Sequence, residues 1–206
     1  MKYNINYKLY LVTDRNILIE KSLETAVAEA IEGGVKIVQL REKDISSLEF
    51  YKTALKLKEI TTQYNIPLII NDRLDIALAV DAEGVHLGQR DLPCSIAREI
   101  IGENKIIGVS AATVEEAKKA EVDGADYIGV GALFPTNTKQ NTRAVSIELL
   151  TEIKKSVSIP VVAIGGINES NVSLLKSTNI DGIAVVSAIL GKKDIQSAVM
   201  NLLCKI

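Results

Sequence analysis

The chain has 206 residues, 47% of them hydrophobic, and a formal net charge of −2. This length fits one domain, because β/α barrels can run past about 200 residues without splitting. So small a charge excludes the strong electrostatic field that draws a protein to nucleic acid or to an acidic membrane. Recognition of anions must therefore be local, and neither nucleic acid nor membrane is predicted as a partner.

The cysteines and the N-terminal segment both indicate a reducing, aqueous compartment. Cys94 and Cys204 match no metal-ligand spacing, and a single possible pair is weak support for a disulfide framework. Residues 1–8 lack the apolar core of a secretory signal, and no uncharged apolar stretch reaches membrane-spanning length. We therefore expect a soluble, cytoplasmic protein.

The first part of the chain alternates between predicted strands and predicted helices. Residues 9–13 are apolar throughout, as expected of a strand covered on both faces. A helix over 22–31 follows and ends at Gly33-Gly34, a typical helix C-cap and turn. After a second strand over 37–41, Ser46-Ser-Leu-Glu49 forms a capping box that begins a helix reaching residue 64.

The same alternation continues to the C-terminus. Six further apolar runs predict strands over 67–71, 84–88, 106–110, 127–131, 160–164 and 182–186. The helices between and after them are predicted over 74–80, 95–101, 113–122, 146–157, 171–177 and 194–203, and the third of these begins at a second capping box, Thr113-Val-Glu-Glu116.

Eight strand–helix repeats predict an α/β fold, a single-domain (β/α)8 TIM barrel over residues 1–206. The alternative architecture is an open doubly wound sheet. That fold usually carries a glycine fingerprint after its first strand, and Val12-Thr-Asp-Arg15 is not one. In a barrel, the ends of all eight strands meet on one face, so the polar residues that follow them belong to one site.

Two acids follow neighbouring strands at this face. Asp72 comes directly after the third strand and Asp91 shortly after the fourth. Two carboxylates suit Mg²⁺, which takes few protein ligands and completes its octahedron with water and phosphate oxygens. The alternative is that each acid caps a helix or pairs with Arg73 or Arg90, but the pair favours a metal site.

Basic residues also follow the strands. Arg41 and Lys43 lie two residues apart on an extended segment, so both side chains can point to one side and bind phosphate oxygens. The alternative is an ion pair with Glu42 or Asp44. Lys139 lies in the long connection over 133–145, which we predict to be a mobile active-site loop that captures an anion.

The remaining polar groups predict binding without covalent catalysis. Gly166, in a Gly-Gly turn after the seventh strand, and Ser187, after the eighth, occupy the usual phosphate-binding corner of a barrel. Gln39, Asn71 and Gln89 are neutral groups that can read a heterocycle. His86 can face the barrel interior, where we expect a hydrogen-bonded structural histidine. No nucleophile–histidine–acid arrangement is evident.

Taken together, the strand endings resemble the thiamine-phosphate synthase family, also called thiamine-phosphate pyrophosphorylase. The resemblance runs from Leu9 to Ala188 and is carried by five motifs in order: Gln-Leu-Arg-Glu-Lys43, Ile-Asn-Asp-Arg73, His-Leu-Gly-Gln-Arg-Asp91, Phe-Pro-Thr-Asn-Thr-Lys139 and Ala-Ile-Gly-Gly-Ile167. It implies a transferase that joins a hydroxymethylpyrimidine diphosphate to a thiazole phosphate. The products would be thiamine phosphate and pyrophosphate.

The resemblance also implies a role for each matching position. The pyrimidine diphosphate contacts would be Gln39, Leu40, Arg41, Glu42, Lys43, Asn71, Ser110 and Lys139. One Mg²⁺ per active site would be held by Asp72 and Asp91. The thiazole phosphate would be held by Thr136, Asn137, Thr138, Gly166, Val186 and Ser187. Arg41, Lys43, Lys139 and Ser110 would be the catalytic set, acting through electrostatics and positioning in a dissociative displacement of pyrophosphate.

The chain departs from the family pattern at two places, and two other functions compete. The family commonly has Gly-Pro-Ile-Phe where this chain has Gly131-Ala-Leu-Phe134, and it often has an acid where this chain has Gln140-Asn141. The competing functions are a thiazole tautomerase of the same fold, which needs no diphosphate or Mg²⁺ apparatus, and a non-catalytic binder of thiamine precursors. Release of pyrophosphate in the presence of Mg²⁺ discriminates between the three.

Overall fold

The computed structural model describes residues 5–136 and 143–206. Eight parallel strands form a closed barrel in sequence order. They are β1 (Leu9–Val12), β2 (Ile37–Leu40), β3 (Leu68–Asn71), β4 (Gly84–Leu87), β5 (Ile106–Ala111), β6 (Tyr127–Val130), β7 (Val161–Ile164) and β8 (Gly182–Val185). The predicted (β/α)8 barrel is confirmed, and an open sheet is excluded because β1 pairs with β8.

The helices pack around the barrel. They are α1 (Leu23–Gly33), α2 (Ser47–Gln63), α3 (Leu74–Ala79), α4 (Cys94–Ile101), α5 (Val114–Val122), α6 (Ile147–Ser156), α7 (Ser187–Leu190) and α8 (Ile195–Leu203). Within the described part of the chain, no helix combines the length and the apolar character that crossing a membrane requires.

The predicted helix caps are present, with one difference. Ser46 accepts the Glu49 N–H at 3.2 Å while the Glu49 carboxylate accepts the Ser46 N–H at 3.2 Å, which completes the capping box of α2. Gly34 ends α1 with φ +118°, a left-handed conformation that suits glycine. At α5, Thr113 caps as predicted, but the Glu116 carboxylate accepts the Ala112 N–H at 2.8 Å and so reaches one residue further back.

Three short elements differ from the sequence prediction. The helix predicted over 171–177 is a 3₁₀ segment, Val172–Thr178. Its first turn lacks a side-chain cap, because the Asn171 amide donates to the Gly166 carbonyl at 2.9 Å and accepts the Asn168 N–H at 2.8 Å. A 3₁₀ turn over Arg15–Ile17 and the four-residue helix α7 were not predicted, because neither is long enough to show a helical period.

The pleat of each strand divides the apolar side chains between two cores. In β1, Leu9 and Leu11 face outward into the layer between the strands and the helices. Tyr10 and Val12 face into the barrel, where they pack with other inward residues, including Tyr127. The inward-facing layer therefore lies directly beneath the face at which the strands end.

Candidate active site

A cavity of about 350 Å³ opens at the carboxyl ends of the strands. It is lined by eleven of the predicted site residues: Gln39, Arg41, Lys43, Asn71, Asp72, Asp91, Ser110, Thr136, Gly166, Val186 and Ser187. The closed barrel thus gathers residues from seven strand ends and their loops into one site. Asn137, Thr138 and Lys139 lie outside the described residues.

The two acids lie beside each other in different electrostatic environments. The Lys43 ammonium forms an ion pair with the Asp72 carboxylate. Burial opposes ionisation of Asp72, but the contacts with Lys43 and with Asp91 together outweigh it and hold the Asp72 pKa below its usual range. Burial, together with the neighbouring Asp72 carboxylate, raises the pKa of Asp91. Two such carboxylates repel each other, and a cation between them relieves that repulsion.

The donor set fits Mg²⁺ better than a metal that demands a complete protein shell. Among residues 5–136 and 143–206, no group of three or more His, Cys, Asp or Glu side chains could hold a metal ion. Two carboxylates are what Mg²⁺ commonly takes from a protein when phosphate oxygens and water fill the other positions. Asp72 does not pair with Arg73, which binds Asp75 instead at 2.6 Å.

The segment after β2 places its charges on alternating sides. Arg41 and Lys43 line the cavity, whereas Glu42 between them turns away and accepts three hydrogen bonds from Arg15 at 2.6 to 3.0 Å. Arg41 is further located by its backbone N–H, which donates to the Thr13 hydroxyl at 3.0 Å, and by Asp14 at 3.6 Å. The predicted extended geometry is present, and Arg41 and Lys43 are paired with neither Glu42 nor Asp44.

The phosphate corner is built from close backbone contacts. Gly166 has φ +66°, and a Cβ at this position would lie 2.6 Å from the Pro135 carbonyl oxygen, so only glycine fits. The Phe134 N–H donates to the Gly165 carbonyl at 3.0 Å, which joins the predicted loop to this turn. Ser187 begins α7 next to it, and the first N–H groups of a helix lack intrahelical acceptors.

The described ends of the long loop are held together at its base. Ala132 donates its N–H to the Arg143 carbonyl and accepts from the Val145 N–H, both at 2.9 Å. The Arg143 guanidinium binds the Glu116 carboxylate through two hydrogen bonds of 2.7 Å. This contact lowers the pKa of Glu116 and brings Arg143, which the sequence analysis missed, to the cavity wall.

Tyrosines also line the cavity floor, and the sequence analysis missed them. Tyr10 and Tyr127 are each 1% exposed, and their hydroxyl oxygens are 2.8 Å apart. A strand tyrosine resembles any other β-former in a sequence, but the inward pleat positions of β1 and β6 would have indicated both residues. His86 faces inward between them and Ser110, hydrogen-bonded through both ring nitrogens as expected of a structural histidine.

Comparison with known proteins identifies the family. Residues 9–189 match the family model described as thiamine monophosphate synthase. The chain belongs to this family. Its match covers all eight strands of the barrel, so the family resemblance stated from the five motifs is confirmed.

Individual members of the thiamine monophosphate synthase family are similar over nearly their full length. The thiamine-phosphate synthase of Clostridium tetani is 64% identical over 195 residues, covering 95% of this chain and 93% of that protein. The enzyme of Alkaliphilus oremlandii is 59% identical, with 98% of each chain covered. The structure of thiamine phosphate pyrophosphorylase from Pyrococcus furiosus has a TM-score of 0.87 at 44% identity, covering 96% of this chain and 94% of that one.

Two residues of the Gln39–Lys43 motif, Leu40 and Glu42, have side chains that do not line the cavity. Leu40 is fully buried in the layer between the strands and the helices. Glu42 lies with Arg15 in an adjoining recess. Because side chains alternate along an extended segment, only Gln39, Arg41 and Lys43 of this motif point into the cavity. Leu40 can reach a substrate through its backbone alone.

Proposed function

We propose that this protein, as one catalytic domain over residues 1–206, condenses an aminopyrimidine diphosphate with a thiazole phosphate to give thiamine phosphate and pyrophosphate. The observation that carries the proposal is the meeting of Lys43, Asp72 and Asp91 on one cavity wall, next to Arg41. Cations beside a pair of acids suit a diphosphate bound with its metal, and membership of the thiamine monophosphate synthase family supports this substrate.

The reaction breaks the bond between the pyrimidine methylene carbon and the diphosphate oxygen, and the electron pair leaves with pyrophosphate. Arg41 would bind the leaving oxygens through its planar guanidinium, and Lys43 would add a compact positive charge. Lys139, in the loop outside the described residues, is proposed to add a third. Charge that develops on pyrophosphate is then stabilised by groups already in place, which is where enzymes gain most of their rate.

Asp72 and Asp91 would hold one Mg²⁺. When bound, the ion supplies positive charge to the diphosphate oxygens and lowers the energy of the departing pyrophosphate. The neighbouring carboxylates support this role, because the raised pKa of Asp91 reflects burial and negative charge that a divalent cation would offset. The contacts with Lys43 and Asp91 lower the pKa of Asp72 and so keep its carboxylate ionised for a metal.

The second half of the reaction is capture of the carbocation left on the methylene. The electron-rich aminopyrimidine stabilises this cation, and the thiazole nitrogen donates its lone pair to form the new carbon–nitrogen bond. Gln39, Asn71 and Ser110 would orient the pyrimidine ring, while Thr136, Asn137, Thr138, Gly166, Val186 and Ser187 would hold the thiazole phosphate. The protein acts by positioning and electrostatics, with no covalent intermediate on a side chain.

The ionic groups favour the synthase over the two competing functions. A thiazole tautomerase or a binder of thiamine precursors needs the phosphate corner but no paired acids facing Arg41 and Lys43. The relatives at 59% and 64% identity are named thiamine-phosphate synthases, which supports the same choice. Location in the cytoplasm stays a prediction.

The proposal is tested by supplying both purified substrates to the purified protein. We expect equal amounts of pyrophosphate and thiamine phosphate with Mg²⁺, and neither product with a chelator. Asp75→Asn serves as a matched control for changes at Asp72, because Asp75 lies three residues away and pairs with Arg73 outside the cavity. Binding of the thiazole phosphate without any release of pyrophosphate would refute the synthase.

A further inference from the structure

Beneath the proposed pyrimidine site, five polar side chains form a continuous row of hydrogen bonds across the barrel. The Gln39 amide N–H donates to the Tyr10 hydroxyl at 2.8 Å, and the Tyr10 and Tyr127 hydroxyls are 2.8 Å apart. The Tyr127 hydroxyl lies 3.0 Å from His86 Nδ1, and His86 Nε2 lies 2.9 Å from the Ser110 hydroxyl. We call these residues the tyrosine–histidine relay. Both of its ends, Gln39 and Ser110, line the cavity.

Two glycines make room for the relay inside the barrel. A Cβ at Gly108 would lie 2.1 Å from the Tyr127 ring, and a Cβ at Gly129 would lie 3.1 Å from the His86 ring. The two rings pack at a centroid distance of 5.5 Å. Glycine at these two strand positions therefore leaves room for both rings. Their close packing gives the relay a defined geometry.

The Gln39 amide, which donates to Tyr10, and the single proton on each hydroxyl together set the direction of the relay. Burial raises the pKa of Tyr10 and of Tyr127, so each hydroxyl keeps its one proton. Tyr10 accepts from Gln39, and its remaining hydrogen-bond partner in the described part of the chain is Tyr127, so Tyr10 donates to Tyr127. Tyr127 in turn donates to His86 Nδ1. A neutral imidazole that accepts at Nδ1 carries its proton on Nε2 and donates it to Ser110.

The last member of the relay, Ser110, lines the cavity. Because the Ser110 oxygen accepts the His86 Nε2–H, its own proton is left for an acceptor in the cavity. The Ser110 backbone is held as well, since the Gln89 amide donates to its carbonyl at 2.7 Å. An aminopyrimidine offers an unprotonated N3, beside its amino group, as that acceptor, whereas the 4-oxo counterpart of the same pyrimidine carries an N–H at N3.

We propose that His86 is a positioning residue for substrate specificity, held by the tyrosine–histidine relay as the Nε2–H tautomer so that the Ser110 hydroxyl donates to the pyrimidine ring. The inference rests on the proposed function for the identity of the ligand. It adds a selection rule to that function, because the relay favours the 4-amino pyrimidine diphosphate over its 4-oxo counterpart.

The tautomer is directly measurable, because His86 is the only histidine of the chain. Protein labelled with ¹⁵N-histidine gives one pair of ring nitrogen signals, and multiple-bond ¹H–¹⁵N spectra distinguish the tautomers about two pH units above the ordinary histidine pKa of about 6.5. We expect the Nε2–H form in the substrate-free wild type and a mixture of tautomers in Tyr127→Phe. A wild-type spectrum of the Nδ1–H form would overturn the proposal.

Tyr7→Phe is the matched control for the spectrum. The Tyr7 ring packs against Tyr127 at a centroid distance of 5.1 Å, but its hydroxyl is not a member of the relay. Removing this hydroxyl should leave the Nε2–H tautomer unchanged. A tautomer mixture in Tyr7→Phe equal to that in Tyr127→Phe would attribute the change to packing and overturn the role of the relay.

Substitution of His86 itself tests the specificity. A Gln amide nitrogen reaches approximately the position of imidazole Nε2, whereas an Asn amide reaches only that of Nδ1. We expect His86→Gln to keep most of the wild-type ratio of kcat/KM for the 4-amino over the 4-oxo substrate, and His86→Asn to lower it about tenfold, the effect of one hydrogen bond. Equal ratios in both variants would refute the positioning role.

Failure of the positioning role proposed for His86 can be told apart from failure of the proposed function. A wild type that forms no thiamine phosphate refutes the synthase, while the tautomer is measured without substrate. Where a His86 variant does not fold, the spectra of the wild type, Tyr127→Phe and Tyr7→Phe still decide the direction of the relay.

Discussion

Lys43 and Asp72 form an ion pair between the ends of neighbouring strands, β2 and β3, at the rim of the cavity. The Asp72 backbone has φ +61°, a conformation that non-glycine residues rarely adopt. Here it directs the Asp72 carboxylate toward Lys43 and Asp91.

The acid pair leads to the first prediction. Asp72→Asn and Asp91→Asn should each raise the Mg²⁺ concentration for half-maximal activity by at least about tenfold, because a charge-assisted contact is worth roughly 1.5–3 kcal/mol. Titration of activity with Mg²⁺ measures the change, and Asp75→Asn should behave as wild type. Unaltered Mg²⁺ dependence in both variants would show that neither acid holds Mg²⁺.

Arg41 leads to the second prediction. Arg41→Ala should lower kcat by roughly 10²–10³, the usual effect of removing one group that stabilises charge in a transition state. Arg15→Ala is the matched control, because Arg15 pairs with Glu42 in the adjoining recess and does not line the main cavity. Steady-state rates of pyrophosphate release compare the two variants. Full activity of Arg41→Ala would mean that Arg41 has only a structural role, as the partner of Asp14.

The Gly166 turn leads to the third prediction. Gly166→Ala should weaken binding of the thiazole phosphate and lower the free energy of unfolding by more than Gly124→Ala does. Both glycines have positive φ, +66° and +92°, so an alanine is strained at either position. Only at Gly166 does the added Cβ meet backbone, since the nearest atom to a Cβ at Gly124 is Cγ of the Arg98 side chain at 3.4 Å. Denaturant unfolding and calorimetric binding of the thiazole phosphate provide the two measurements, and equal losses in both would refute the close contact.

The Glu116–Arg143 pair leads to a prediction of pH dependence. Arg143 lowers the pKa of Glu116 in the folded protein, so the folded state binds fewer protons at this site than the unfolded state. The resulting stabilisation is present above the unfolded pKa of about 4.5 and is lost as the pH falls through the lowered folded value. Glu116→Gln should therefore lower Tm at pH 7 and have a smaller effect in strong acid. Thermal unfolding across the acid range measures this, and a Tm difference independent of pH would contradict it.

Local patterns predicted most of the barrel. The capping box of α2 and the glycine end of α1 are formed by residues within four positions of each other, so their geometry follows from the sequence alone. The 3₁₀ segment Val172–Thr178 was predicted as a helix, and the reason for the difference lies outside the segment. The Asn171 side chain does not cap the segment, because it hydrogen-bonds to the Gly166 carbonyl in the preceding turn. The alternation that sends Arg41 and Lys43 to one side and Glu42 to the other was predictable, since it depends only on extended backbone.

By itself, the sequence determined the order of strands and helices, the convergence of the strand endings and the set of ionic residues at the site. These depend on period, caps and the geometry of a closed parallel barrel. Only the tertiary structure decided which partners those residues have. Tyr10 and Tyr127, 117 residues apart, share a hydrogen bond because barrel closure brings the inward sides of β1 and β6 together. Such contacts depend on the pleat and stagger of all eight strands at once, and no local pattern in the chain records them.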